Sequence, residues 1–192
     1  MVIAPGSRSN IAVDNLLQCR LNTKWYPWSS LTLEASGRVQ MFGGRDFKSA
    51  DQIASQMRID PGFLGLSWAQ GSDSTAIVLY ENIDRLSGSM TKGNFNATIG
   101  RQRINWGTNL VWNPNDWFNA FNYFDFAYPE RPGTDALRVQ YYSSATSVAE
   151  IAAQAGDHQR DRTFAALYKY NWHAYDWQFQ TGVSGNDAAA GF

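Results

Sequence analysis

At 192 residues, with 44% hydrophobic and 17% charged side chains, the chain has the size and balance of one folded domain and not of a disordered segment. A formal net charge of -1 leaves no basic footprint for nucleic acid, and the lone Cys19 excludes an internal disulfide. No apolar run approaches the roughly 20 residues that a membrane-spanning helix needs. Aromatic residues are abundant, at 8 Trp, 9 Tyr and 11 Phe.

The start, MVIAPGSRSN, lacks a charged region followed by an apolar one, so no signal peptide is read there. From Val13 the residues Val13, Leu17, Cys19, Leu21, Thr23 and Trp25 oppose Asp14, Gln18, Arg20, Asn22 and Lys24. This period of two marks a strand with unlike faces, on which Cys19 is a small apolar residue. After the Tyr26-Pro27-Trp28-Ser29-Ser30 turn comes the clearest alternation in the chain. Leu31, Leu33, Ala35, Gly37, Val39 and Met41 oppose Thr32, Glu34, Ser36, Arg38 and Gln40 without a break. Extended, that strand spans roughly 36 Å, and at a tilt of about 45° its height is roughly 25 Å, that of an outer-membrane apolar band.

Residues 42–74 read as a polar excursion rich in turn residues, with a short strand from Phe63 to Trp68 inside it. The third strand, Thr75 to Met90, carries the charged run Glu81-Asn82-Ile83-Asp84-Arg85, and Thr91-Lys92-Gly93-Asn94 turns it into a fourth, Phe95 to Asn105. Four further strands are read near 137–142, 149–155, 164–172 and 175–183, about eight in all. Short and long connections alternate between them, and Trp and Tyr gather on the short-turn side. That is how outer-membrane barrels place their turns and their interfacial aromatic residues.

Between the fourth and fifth strands lies IGRQRINWGTNLVWNPNDWFNAFNYF. Asn113-Pro114-Asn115-Asp116 has helix-start chemistry, and the aromatic residues after it need a surface to fold against. GRQRINWG, NPNDWFNAF and ERPGTDALRVQYY, with the flanking hairpins over most of residues 12–184, resemble a family of porin-like bacterial outer-membrane β-barrel proteins. A looser similarity runs to alginate-export and capsule-assembly barrels. The resemblance implies an all-β, antiparallel, up-and-down transmembrane barrel with short periplasmic turns and longer extracellular loops, in the outer membrane of a Gram-negative bacterium. On this reading residues 1–192 form one partial barrel domain, an internal fragment of a longer protein, with 106–131 as a lumen infold or extracellular loop. Its partners are outer-membrane lipid and small polar solutes or saccharides.

Neither His158 nor His173 has ligands at zinc spacing, and Ser144 and Ser147 are turn residues without a base. No catalytic constellation, metal set or cofactor motif is read. Arg20, Lys24, Arg38 and Arg138 fall on the polar parity and are expected to line the lumen with Glu34 and Asp116. Arg101 and Arg103 share parity with Ile99, so a bulge at Gly100 is expected to turn them inward, because Arg facing lipid at mid-membrane costs roughly 2 to 4 kcal/mol. The same side chains have a second reading, as braces paired to Glu34, Glu81, Asp84, Asp116, Asp135 or Glu150. The expected function is a porin-like passage for small polar or anionic solutes; the alternative is a non-transporting surface protein that binds polysaccharide.

Adjacent positions on opposite faces test the parity directly. Leu33→Arg is expected to block membrane assembly more severely than Glu34→Arg, the first alone meeting the roughly 2 to 4 kcal/mol midplane penalty. The readout is the folded, heat-modifiable band in unboiled electrophoresis. Equal loss of that band in both variants contradicts the face assignment.

Overall fold

The computed structural model describes residues 14–44, 62–72, 77–107, 117–118, 133–156 and 162–192. The chain divides into two compact units, one of Met1–Arg20, Arg38–Ile59 and Ser67–Asn82, the other of Leu21–Gly37, Asp60–Leu66 and Ile83–Phe192. Among the described residues ten strands are formed: β1 Asp14–Trp28, β2 Leu31–Gly44, β3 Ser67–Ser72, β4 Ile77–Lys92, β5 Phe95–Gln102, β6 Thr134–Ser144, β7 Ser147–Gln154, β8 Thr163–Trp172, β9 Tyr175–Ser184 and β10 Asp187–Gly191. Among the described residues there is no helix, and so none long and apolar enough to cross a membrane.

The strands make one antiparallel, up-and-down sheet in the order β1-β2-β4-β5-β6-β7-β8-β9-β10, with β3 paired to β4 off that path. β1 and β10 are the ends of the path, and among the described residues no pairing joins them into a closed barrel. Two strands exceed the eight read from the sequence. β3 lies a few residues beyond the short strand expected at 63–68. β10 follows a turn at Gly185, whose φ of 61° suits glycine, but its Asp-Ala-Ala-Ala-Gly run has no alternation to announce it.

Strand length is the first unusual property. β1, β2 and β4 have 15, 14 and 16 residues, whereas strands of soluble domains are typically about 5–6. Length here exceeds the roughly 9–11 residues that cross a bilayer at a tilt.

In the first unit β3 and β4 bury a polar seam. Ser67 stands opposite Asn82, whose Nδ2 donates to Ser67 Oγ at 2.7 Å and to Tyr80 Oη at 2.9 Å. Ala69 and Val78 are buried with them, and Gln40 Nε2 donates to Gln18 Oε1 at 2.9 Å.

In the second unit the faces are inverted relative to a soluble sheet. Leu137, Ile151, Phe164, Phe179 and Val183 are exposed on one parity of β6 to β9, while Thr134, Glu150, Thr163 and Gln180 on the other are buried. Across all described residues, fourteen buried side chains are polar or charged and nine are hydrophobic. A water-soluble domain buries the opposite set.

The bulge expected at Gly100 is not formed. β5 pairs with β4 from Lys92↔Phe95 to Leu86↔Arg101 and with β6 from Phe95↔Tyr141 to Gln102↔Thr134, and neither register shifts. The alternation breaks in β4 instead, where Asp84 and Arg85 are both buried between the segment paired to β3 and the segment paired to β5. Gly100 still matters, because its φ is 109° and a Cβ there would collide with the Leu86 carbonyl oxygen.

Two-residue turns join β1 to β2, β4 to β5, β6 to β7 and β8 to β9. Beside them Trp25, Tyr26, Trp28, Phe95, Tyr141, Tyr142, Trp172, Tyr175 and Trp177 are all exposed. Phe95 fills the gap in the aromatic row next to Gly93-Asn94, packing on Tyr141 with ring centroids 4.7 Å apart.

Two glycines separate backbone strain from collision. Gly93 has a φ of 59° and open space around it, so Gly93→Ala is expected to cost about 1 kcal/mol. Gly100→Ala meets both a strained φ and the Leu86 backbone, and is expected to cost about 3 kcal/mol. Urea titration of the folded protein, followed by Trp fluorescence, checks the order; equal costs contradict the close approach at Gly100.

Candidate functional site

The polar parity of β6 to β9 carries a side-chain network centred on Glu150. In the β6–β7 register Glu150 is opposite Gln140, with Arg138 diagonal to it on the same face. Arg138 grips the carboxylate as a fork, Nε to Oε1 at 2.6 Å and Nη2 to Oε2 at 2.7 Å, while Gln140 Nε2 donates to Oε2 at 2.9 Å. The Trp106 Nε1–H donates to Oε1. Glu150 is 4% exposed, and four donated hydrogen bonds offset the desolvation of its charge.

Trp106 arrives on that face because the chain leaves β5 and folds back. Its carbonyl accepts from Gln178 Nε2 at 2.8 Å, and its ring meets Phe118 edge-on with centroids 5.0 Å apart. Ile104, Trp106 and Phe118 pack with Ala136, Ala152, Ala165 and Leu167 into a small apolar core. Alanines on β6, β7 and β8 leave the space that the Trp106 and Phe118 rings occupy. Residues 108–116 and 119–132, and with them Asp116 and the helix start expected at 113–116, lie outside the described residues.

A cavity of about 260 Å³ lies in the same unit, lined by Glu34, Arg85, Ser87, Ser89, Thr98, Gln102, Arg103 and Arg138. Arg85 and Gln102 are buried: Arg85 Nη1 donates to the Asp84 carbonyl at 2.7 Å, and Gln102 Nε2 to the Ala136 carbonyl at 2.9 Å. Lys24 Nζ lies 3.7 Å from Glu34 Oε2, an exposed pair of little energetic weight. A different concavity, about 710 Å³, is set in the apolar face among Phe95, Val139, Tyr141, Ile151, Tyr168 and Phe179. That surface suits hydrocarbon, whereas the smaller cavity presents donors.

Arg101 has a separate place. It is opposite Asp135 in the ladder, on the parity of Leu137, and binds it through Nε to Oδ1 at 2.9 Å and Nη2 to Oδ2 at 2.8 Å. Its Nη1 donates to the Ile83 carbonyl at 3.3 Å, and the Leu64 N–H donates to Asp135 Oδ2 at 2.9 Å. Gly62 covers the ion pair so closely that a Cβ there would strike the Arg101 guanidinium, and a Cβ at Gly133 would strike the Asp84 carbonyl oxygen and the Arg101 stem. Instead of turning inward, Arg101 stays on the apolar parity, with its charge paired and covered.

The structure thus brings Glu34, Arg103 and Arg138 to one cavity and ties Lys24 to its rim. Arg20 and Arg38 belong to the first unit, where Arg38 is buried. Of the expected braces, Lys24 to Glu34, Arg101 to Asp135 and Arg138 to Glu150 are formed. Arg85, Ser87, Ser89, Thr98 and Gln102 are the cavity residues that the sequence reading passed over. Asp84 and Arg85, two charged residues in a row within a strand, carry the signal of a parity break from which Arg85, Ser87 and Ser89 follow. Among the described residues no cluster of three His, Cys, Asp or Glu side chains is placed to hold a metal.

No family model, curated protein or solved structure matches the chain.

Removing the centre of the network leaves a guanidinium and an indole N–H without their acceptor. Glu150→Ala is expected to cost about 3 kcal/mol in urea unfolding, the scale for breaking a buried pair, and to change the emission of Trp106. In a double-mutant cycle, Arg138→Ala added to Glu150→Ala is expected to cost much less than on its own. Additive costs rule out the shared network.

Proposed function

We propose that this chain forms the wall of an outer-membrane β-barrel, a porin-like passage for small polar or anionic solutes in a Gram-negative bacterium. The inversion of burial carries the reading. In water, leaving Leu21 71% and Ile99 65% exposed while burying Arg38 and Glu150 forfeits roughly 1.5 to 3 kcal/mol for each large apolar side chain. In a bilayer the same placement puts hydrocarbon against lipid. Between β1 and β10 the backbone polar groups are spent in strand ladders, and a spanning sheet further requires these two edge strands to be paired.

The exposed aromatic row beside the two-residue turns supports a membrane boundary, since Trp and Tyr rings have one apolar end and one wet end. Strands of 14 to 16 residues support a crossing with margin above the apolar band. Arg103, exposed and without an ion pair among the described residues, gives the cavity a cation that favours anions, whereas the Arg138 charge is balanced by Glu150. Ile104, Trp106 and Phe118 on that face favour a constriction, and if they seal it the second reading follows: a surface protein that binds polysaccharide without transport.

Conductance in a planar lipid bilayer separates the two. The proposal expects stepwise conductance with anion preference, and a rise in step size for Trp106→Ala combined with Phe118→Ala. Correctly inserted protein without conductance, even in the double variant, excludes the passage and leaves the surface-binding reading.

A further inference from the structure

We infer that the cavity between Arg85, Arg103 and Arg138 is a binding site for a small monovalent hydroxycarboxylate, a proposal that rests on the reading of this face as a solute path. Its lining combines three guanidinium groups, the hydroxyls of Ser87, Ser89 and Thr98, the Gln102 amide and a single carboxylate, Glu34. Strand geometry explains the set. After the break at Asp84 and Arg85, Arg85, Ser87 and Ser89 share one parity of β4, and Thr98 and Gln102 share the facing parity of β5.

The charges in the cavity have unequal tasks. Arg138 is held by Glu150 at 2.6 and 2.7 Å, and Arg85 is anchored on the Asp84 carbonyl, so two guanidinium groups are fixed before any ligand arrives. Arg103 is exposed and makes no ion pair among the described residues. It is the cation available to close on an incoming carboxylate, whose two oxygens match the guanidinium fork. Ser87, Ser89 and Thr98 can exchange hydrogen bonds with ligand hydroxyls, and Glu34 can only accept them. Glu34 also penalises a second negative charge, which selects a monoanion over a phosphate dianion. At about 260 Å³ the cavity falls just below the roughly 300 to 1,000 Å³ of drug-sized pockets, which restricts it to small solutes.

The test is calorimetric titration of the full chain, folded in detergent micelles, with gluconate as probe and with glucose and inorganic phosphate as comparisons. Gluconate is expected to bind, glucose not to bind, and phosphate to bind at least tenfold more weakly. Arg103→Gln is expected to weaken gluconate by about tenfold, the loss of one charge-assisted hydrogen bond. Glu34→Gln is expected to strengthen phosphate relative to gluconate, and thereby to report the selectivity without touching a buried group. Absence of gluconate binding in protein that still conducts overturns the site and spares the passage; binding without conductance does the reverse. Equal affinity for phosphate, or a gluconate affinity indifferent to Arg103→Gln, also overturns it.

Discussion

Antiparallel ladder pairing is the constraint from which the other features follow. Once ten strands have satisfied one another's N–H and C=O groups, the only freedom left to each residue is which face of the sheet it occupies. A period of two then sorts the side chains into an apolar set and a polar set, and the surroundings decide which set is buried. Here many of the buried side chains belong to the polar set, and much of the apolar set is exposed.

A polar interior has costs that a hydrophobic one does not. Each buried charge has to be desolvated, and the structure offsets this with forks that use several acceptors or donors at once, Arg138 on Glu150 and Arg101 on Asp135. The two pairs solve different problems. Arg138 and Glu150 lie on the polar parity, where the pair orients a guanidinium beside a cavity and holds the indole of Trp106 against the sheet. Arg101 and Asp135 lie on the apolar parity, where each charge is paired with the other and Gly62 lies directly over the pair.

The infold at Ile104, Trp106 and Phe118 links fold to function. It places an apolar core on the polar face, built on alanines of three strands. The neighbouring cavity remains polar because β4 changes parity at Asp84 and Arg85. One extra inward residue there brings Arg85, Ser87 and Ser89 to face Thr98 and Gln102 across the β4–β5 pair, without altering the register between Phe95 and Arg101.

The sequence by itself determined the strands and their faces, because alternation is a local property: Leu31 to Met41 and Phe164 to Trp172 state their parity residue by residue. It also supplied the tight turns, through Gly93-Asn94 and the chemistry around Ser29-Ser30, and the aromatic row beside them. β10 was silent, since a run of alanines has no period. Which side chains meet was settled by tertiary structure alone. Arg101 and Asp135 are 34 positions apart, and Trp106 and Glu150 are 44 apart, so strand order and register had to be known before either pair could be recognised. The same holds for the place of the irregularity. A glycine in a strand suggests a bulge, but with Gly100 adopting a φ of 109° in an unshifted ladder, the change of parity fell to Asp84 and Arg85, where β4 passes from one partner strand to another.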